Sequence, residues 1–298
     1  MDAKSLVRFG RVFDLELLTR SRSMVTELQA DESHRGILCV AVDRGVHSIL
    51  EVLLRVAGWK PNALNRALWM ALHQKRADHA RILLDAAASL LEVDLVTICG
   101  SLDLALVRRA LREGVDPSDS NGFADALCCY RAKPMLRIYL DLRSEFPVLD
   151  SQAAISLCEA VQKKDVRWTA LLLWAGANPR QRAPYNLVAH EAGDNDMWTT
   201  ALEKACWDES GNMIRLLKIS PSKIEALELL DKASDWPAPG VIEYLLPFIP
   251  AADLNLNLRN LVGLNRTRIR ATHRETLHSS YHISRSRPRA VSHLLFVQ

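Results

Sequence analysis

A short phrase of apolar positions recurs along most of the chain. It consists of Leu-x-x-Ala, followed about 15 residues after the leucine by a pair of Leu-Leu type, and its clearest copy lies in residues 157–179 (LCEAVQKKDVRWTALLLWAGANP). An apolar pair three positions apart with a small second member favours a short helix that a neighbouring helix can approach closely. The pattern therefore predicts units of two short antiparallel helices, and each unit must stack on its neighbours to bury its apolar face.

The Leu-Leu-like pair sets the register of the units. Its first residue recurs with steps of 30, 27, 29, 33, 44 and 29 residues, at Leu53, Leu83, Ala110, Tyr139, Leu172, Leu216 and Leu245. Five units carry the Leu-x-x-Ala element upstream, at Leu38/Ala41, Leu68/Ala71, Leu157/Ala160, Leu202/Ala205 and Leu230/Ala233. The third and fourth units are looser, with Cys99 and Cys128 near the small-residue position. The sequence predicts about seven helix pairs over residues 35–249.

Turn residues separate the two helices of a unit, at Asp43, Gly45, Gly211 and Asn212. Gly-x-x-Pro sequences follow the second helix at residues 114–117 and 176–179. Glycine ends a helix through the left-handed conformation, and proline prevents its continuation. These residues therefore predict where the helices end.

The best units resemble the ankyrin repeat, whose consensus runs Thr-Pro-Leu-His-x-Ala-Ala, a glycine turn, and then Val-x-x-Leu-Leu-x-x-Gly-Ala-Asp-Pro-Asn. Residues 200–206 (TALEKAC) match the first half, and residues 172–179 (LLWAGANP) match the second. No unit has the Thr-Pro-Leu-His tetrapeptide, and several lack the Gly-Ala-Asp ending. The resemblance implies an all-α solenoid of helix pairs whose first helices and hairpin tips form a rigid concave surface that binds another protein. Other helix-pair solenoids are the alternative, although tetratricopeptide units repeat at about 34 residues with a Trp, Gly and Tyr pattern that is absent here.

Two stretches interrupt the repeat. The 44-residue step contains an insertion near residues 180–196 (RQRAPYNLVAHEAGDND), where the resemblance places a hairpin loop. Residues 1–34 contain an amphipathic segment with Leu6, Phe13, Leu17 and Leu18, which predicts a helical cap that hides the apolar end of the stack. The predicted organisation is a cap at 1–34, repeats at 35–249 and a basic C-terminal extension at 250–298.

Composition and charge narrow the class of protein. With 49% hydrophobic and 24% charged residues among 298, the chain has the composition of a globular protein. No uninterrupted apolar run approaches the roughly 18 to 20 residues that cross a bilayer, and residues 1–18 carry acids where a signal peptide needs an apolar core. We expect a cytoplasmic protein; a nuclear location, or export without a cleavable signal, is the alternative.

The cysteines predict packing rather than a metal site. Five of the six, Cys39, Cys99, Cys128, Cys158 and Cys206, lie at or within two positions of the small-residue site of first helices, and Cys129 adjoins Cys128. Packed helices are about 8–10 Å apart, whereas zinc needs every sulfur at about 2.3 Å, so cysteines from successive repeats cannot meet on one ion. We expect small buried hydrophobic side chains, with no metal and no cofactor.

Few residues suggest catalysis. His190-Glu191 is an adjacent His and acid pair, but Asp194 stands where a metalloprotease helix needs its second histidine. The chain also lacks a Gly-x-Ser-x-Gly elbow, a Walker loop and a dinucleotide glycine fingerprint. We expect a protein that is not an enzyme, and an enzyme that uses His190 and Glu191 at the insertion remains an alternative.

Partner contacts are predicted in the insertion and at nearby tips. Tryptophans at apolar helical spacing, such as Trp168 and Trp174, are expected to pack in the core, and Trp198 at the edge of the insertion is the expected exception. The candidate partner-binding residues are Arg180, Arg182, Tyr185, His190, Asp194, Asp196 and Trp198, with Asp116 and Asp119 as weaker candidates.

The C-terminal extension is basic. From Arg259 onward it holds eight arginines, no lysine and one acid, a net charge of +7, so the remaining 258 residues hold 30 basic and 34 acidic side chains. Candidate anion-binding residues alternate along it, at Arg266, Arg268, Arg270, Arg285, Arg287 and Arg289, and could pair with phosphates of nucleic acid or with an acidic surface. The alternative is a disordered extension without that role, since it lacks the aromatic spacing of a single-strand binder.

Overall fold

The computed structural model describes residues 3–10, 36–55, 58–184, 198–208, 211–234 and 238–250. These segments are mostly helical, and their only strands are two residues long, which confirms the prediction of an all-α chain. No helix in these segments is long and apolar enough to span a membrane. The chain divides into two compact units, Met1–Ala205 and Cys206–Gln298.

The first unit is a series of helix pairs. Its described elements are α1 (Ala3–Arg8), α2 (Ile37–Arg44), α3 (His47–Leu54), α4 (Pro61–His73), α5 (Ala77–Asp85), α6 (Leu95–Gly100), α7 (Leu104–Glu113), α8 (Gly122–Cys129), α9 (Lys133–Leu142), α10 (Val148–Gln162), α11 (Val166–Trp174), β1 (Ala183–Pro184), β2 (Trp198–Thr199) and α12 (Ala201–Ala205). Short 3-10 helices lie at Leu90–Glu92 and Asp119–Asn121.

Neighbouring pairs pack through the helices that begin them. We call α2, α4, α6, α8, α10 and α12 the first helices, and α3, α5, α7, α9 and α11 the second helices. Each first helix packs on the first helix of the next pair, from α2 through to α12, and α1 packs on α2. The α1 contact buries Leu6, in the region where the sequence predicts a cap, whereas Phe13, Leu17 and Leu18 lie outside the described residues.

Left-handed residues recur with the same intervals as the sequence repeat. Between first and second helices they lie at Gly45, Lys75, Leu102 and Lys164, and the first two intervals are 30 and 27 residues. Leu53, Leu83 and Ala110 in the sequence phrase are separated by the same two steps. The turns therefore keep the register of the repeat even where the residue in the left-handed conformation is not glycine.

The ends of second helices share one hydrogen-bonding pattern. The carbonyl oxygens of Leu83, Ala110 and Leu172 each accept a bond from the amide five residues later, at Ala88, Val115 and Ala177, with every N···O distance 3.0 Å. This 6→1 bond is the Schellman arrangement, which satisfies carbonyl groups that a helix end would leave free. The first residue of the Leu-Leu-like pair thus marks the same structural position in three units.

The apolar phrase supplies the core. Leu38, Leu68, Leu157 and their paired alanines Ala41, Ala71 and Ala160 are buried, as are Leu53, Leu83, Ala110, Tyr139 and Leu172 of the second helices. Because alanine has a small side chain, adjacent first helices can approach closely at this position. Burial of this framework stabilises each pair by roughly 25 cal/mol per Å² of apolar surface removed from water.

The second unit is smaller in its described part. It contains α13 (Asn212–Leu216), α14 (Lys223–Ser234), α15 (Pro239–Leu245) and a 3-10 helix at Leu246–Phe248. Here α15 packs on both α13 and α14. Gly211 precedes α13 in the left-handed conformation and abuts the backbone of Gly240, so a Cβ atom at this position would collide with the main chain.

Candidate interaction surface

The outward side of a first helix is formed by positions between its buried leucine and alanine. In α4, Leu68 and Ala71 are fully buried, whereas Trp69 is 37% exposed and Met70 is half-buried. The position equivalent to Met70 is also half-buried in α2, at Val40, and in α10, at Glu159. The framework residues are alike, and the outward residues differ from pair to pair.

The most aromatic part of this side is on α4. Trp69 and His73 are one helical turn apart, and their rings stack with centroids 4.9 Å apart and planes 10° from parallel. His73 is exposed, and so is Arg66 one turn before Trp69. The helix therefore presents a stacked pair of aromatic rings to solvent.

The insertion is closed at its base by a two-residue ladder. Strands β1 and β2 pair antiparallel, with Ala183 opposite Thr199 and Pro184 opposite Trp198. The Thr199 side of the ladder is buried, whereas Trp198 is 53% exposed, as the sequence predicts. The ladder leads directly into α12.

A reciprocal pair of side-chain bonds begins α12. Thr200 Oγ1 accepts from the Glu203 amide at 3.2 Å, and the Glu203 carboxylate accepts from the Thr200 amide at 2.8 Å. This capping box satisfies two amide groups that the helix itself leaves free. It fixes the position of the residues that follow the insertion.

The structure describes only some of the remaining candidate residues of the insertion. Arg180 and Arg182 are exposed at its base, and the Arg180 amide donates to the Asn178 side chain at 3.0 Å. Tyr185, His190, Asp194 and Asp196 lie outside the described residues, and so do the arginines of the C-terminal extension, Arg266, Arg268, Arg270, Arg285, Arg287 and Arg289. Their predicted roles stay predictions.

The two weaker candidates lie in a tight turn after α7. Asp116 accepts from the amide and the hydroxyl of Ser118, at 2.8 and 2.6 Å, and these hydrogen bonds lower the pKa of its carboxyl group. Asp119 accepts from the Ser120 hydroxyl at 3.3 Å. Both side chains are exposed, but Asp116 has a local role in shaping the turn.

Two helical tryptophans depart from the expectation of core packing, Trp69 on α4 with 37% exposure and Trp174 on α11. Trp168 is buried with 3% exposure, as its spacing predicts, but Trp174 on the same helix is 73% exposed, so the prediction of a core role for Trp174 is wrong. Trp174 lies six residues after Trp168, about 240° around the helix, whereas the buried Leu172 and Ala175 lie four and seven residues after Trp168 on its own side.

The cysteines mostly follow the packing prediction. Cys39, Cys99, Cys158 and Cys206 are buried, Cys128 is half-buried, and Cys129 is exposed, which is an exception. Burial raises the pKa of the Cys158 thiol to about 12 and that of Cys128 to about 11, so these thiols are protonated at neutral pH. Within the described segments, no three His, Cys, Asp or Glu side chains are grouped to hold a metal ion.

Ionic links between neighbouring pairs are absent from the sequence predictions. Asp103 and Asp165 cap second helices α7 and α11 with one carboxylate oxygen, and each pairs through the other oxygen with an arginine of the preceding pair, Arg81 and Arg131. The Asp165–Arg131 distance is 2.7 Å. The sequence shows only an aspartate between the two helices of these units, which does not reveal its link to an arginine of the preceding pair.

Two further arginines cap helix ends of adjacent pairs. Arg76 donates to the Asp43 carbonyl oxygen at 2.9 Å, and Arg143 donates to the Ala175 carbonyl oxygen at 2.7 Å. Both guanidinium groups lie against a glycine, Gly45 or Gly176, where a Cβ atom would overlap them. These glycines leave the space that the arginines occupy.

No protein-family model matches this chain, and no curated protein matches its sequence at a significant level.

Proposed function

We propose that this protein is an ankyrin-like helical-repeat protein that binds a partner protein through the outward side of its first helices. The observation that carries the proposal is the Trp69–His73 pair, two stacked rings that face solvent on a helix whose Leu and Ala framework is buried. Tryptophan is enriched in binding hot spots because it buries a large area at small cost in conformational entropy. The proposal is therefore recognition rather than catalysis.

The recurring backbone geometry supports the repeat part of the proposal. The 6→1 bonds at Leu83, Ala110 and Leu172 and the left-handed turns fall at the intervals of the sequence phrase. In the ankyrin consensus a Gly-Ala sequence follows the Leu-Leu pair, and Gly176-Ala177 has that place and conformation here. Each first helix contacts the first helix of the next pair along the chain, as expected for a stack of helix pairs.

The links between pairs support a rigid binding surface. Arg76, Arg131 and Arg143 each tie one pair to the next through a carbonyl or carboxylate group. A surface that is already ordered loses less entropy when it binds, so a modest contact area can give useful affinity. The outward residues can then vary without loss of the framework.

The base of the insertion is the second part of the proposed surface. Trp198, Arg180 and Arg182 are exposed beside the ladder that closes it. An exposed tryptophan flanked by arginines has the composition of an interface core. We include Tyr185, His190, Asp194 and Asp196 as contacts predicted from the sequence.

Affinity capture with quantitative mass spectrometry, from extracts of cells that express the chain, tests this function. The baits are the wild type, Trp69→Ala, a Tyr185→Ala/Trp198→Ala double variant, and Trp174→Ala as a matched control. We expect a partner that is lost with the first two variants and kept by the control, and that then binds the purified chain directly. Trp174 is the most exposed of these tryptophans, so nonspecific adhesion would be lost with the control.

Thermal unfolding of the same proteins separates binding from folding. Because Trp198 is half exposed, the double variant should keep the melting temperature of the wild type. A large drop would show that these side chains belong to the core. Capture that is unchanged in every variant would contradict the proposed surface.

A further inference from the structure

The charge of α1 and of the first helices changes along the first unit. Helices α1, α2 and α4 carry four Lys or Arg residues and one acid: Lys4, Arg8, Arg44, Arg66 and Asp43. Helix α6 carries no charged residue, and α8 and α10 carry three acids, Asp125, Asp150 and Glu159, with no Lys or Arg. The basic residues are thus concentrated on α4, which carries the Trp69–His73 rings, and on the two helices that precede it in the series, α1 and α2.

The one acid of the basic region is engaged within the protein. The Asp43 carboxylate accepts from Gln74 Nε2 at 3.1 Å, and its carbonyl oxygen accepts from Arg76. Arg8 and Arg44 are exposed, and neither has a salt bridge in the described structure. The Asp43 carboxylate keeps its negative charge beside Gln74, so these three helices carry four positive charges and one negative charge, a net charge of +3.

The basic residues border an apolar surface. By the repeat register, Val40 and Arg44 of α2 occupy the positions of Met70 and Gln74 in α4, and the two helices pack together. We call this set the basic platform, and its members are Val40, Arg44, Arg66, Trp69, Met70 and His73. It combines an exposed tryptophan, stacked on a histidine, with exposed arginine, and tryptophan and arginine are enriched in interface hot spots.

We propose that the basic platform binds an acidic segment of a partner protein, with an apolar side chain of that segment resting on the Trp69–His73 rings. A carboxylate beside the apolar residue meets Arg44, which is the charge complementarity that fixes orientation and speeds association. This inference rests on the proposed function, because it names the chemistry of the partner at the same surface.

Nucleic acid fits this surface less well. Aromatic rings with cations also suit bases and phosphates. However, the row of first helices continues through α6, α8 and α10, which offer no Lys or Arg to a phosphate backbone, and the 258 residues before Arg259 carry more acids than bases. A short acidic peptide needs only the first part of that row.

A random 12-residue peptide library displayed on phage, selected on the full-length chain, tests the inference. Trp69→Ala serves for counter-selection, and Arg44→Glu tests the charge, with Arg167→Glu and Trp174→Ala as matched controls on the second helix α11. Both control side chains are exposed. We expect enriched peptides that are acidic around one aromatic or aliphatic residue.

Titration of an enriched peptide gives the magnitudes. We expect binding to weaken tenfold or more in Trp69→Ala, which corresponds to about 1.4 kcal/mol, and in Arg44→Glu, with no change in the two controls. Higher salt should also weaken binding.

Three outcomes would overturn the inference. Enriched peptides that are neutral or basic but depend on Trp69 would sink the acidic partner and leave the proposed function standing. Binding of a dT12 oligonucleotide that is lost in Trp69→Ala would show a nucleic-acid surface instead. Failure of the wild type to retain peptides beyond Trp69→Ala would remove the platform, and the capture experiment would then decide the proposed function separately.

Discussion

His79 links the stability of the first two pairs to pH. This α5 side chain is 7% exposed, its Nε2 has no hydrogen-bond partner, and its ring meets the edge of His47 with centroids 5.0 Å apart. Burial, then His47 and Arg76, lower the pKa of His79 below 6.5, and Asp78 opposes them to a smaller extent. The folded chain therefore disfavours the proton that the unfolded chain accepts.

The sign of the pH effect follows from that difference. As pH falls through about 6.5, the unfolded state takes up more protons than the folded state, so the free energy of unfolding decreases. We predict that His79→Leu shows a smaller loss of stability between pH 7.5 and 5.5 than the wild type, measured by urea unfolding. His73→Leu, at an exposed position, should keep the wild-type dependence. An unchanged dependence in His79→Leu would show that other groups carry it.

The tryptophans show for which residues exposure can be predicted from the sequence. The exposure of Trp198 is predictable, because it adjoins an interruption of the repeat. The different burial of Trp168 and Trp174 is not, because the apolar run at residues 171–174 (LLLW) covers all sides of α11 and does not show which side is buried. The Trp69–His73 stack is also not predictable, since each of its residues directly follows a buried leucine.

Asp165 both caps a second helix and links two helix pairs through its single carboxylate. Its Oδ1 accepts from the Trp168 amide at 3.0 Å and caps α11, while its Oδ2 meets Arg131 of the preceding pair at 2.7 Å. Asp103 has the same arrangement with α7 and Arg81. The start of a second helix and its link to the previous pair therefore depend on the same side chain.

Two substitutions separate these tasks. Asp165→Asn keeps the cap and removes the charge, so it should cost about 0–1 kcal/mol, as expected for a partly exposed ion pair. Asp165→Ala removes the cap as well and should cost about 1 kcal/mol more. Urea unfolding measures both. Equal losses in the two variants would show that the link to Arg131, and not the cap, carries the stability.

The helix pairs are predictable because their apolar phrase has a fixed period, but the turns are less so. Lys75, Leu102 and Lys164 occupy the left-handed position that Gly45 occupies directly after α2, so the usual glycine signal is missing from three turns. In the fourth unit the chain leaves α8 at Tyr130 without a left-handed residue. Packing between pairs fixes these turns, and a single sequence does not show that packing.

For the whole molecule, the uneven charge predicts where contact with nucleic acid would occur. Residues from Arg259 onward carry a net charge of +7, whereas the rest of the chain is mildly acidic. We predict that any binding to nucleic acid weakens steeply with salt, because arginines release counterions when they pair with phosphates. Replacing Arg266, Arg268, Arg270, Arg285, Arg287 and Arg289 with Gln should abolish it in a mobility-shift assay over a salt series. Binding that survives this change would place the contact elsewhere.

The packing of each first helix on the next also has a consequence for how the first unit is made. Contacts in Met1–Ala205 join helices that are about one repeat apart in the sequence, so closing them costs little loop entropy. A pair can dock on the one before it as soon as the ribosome releases it, without waiting for residues far downstream. The unit can therefore assemble progressively during synthesis. At each stage, the most recently made pair exposes the apolar face that the next pair will cover.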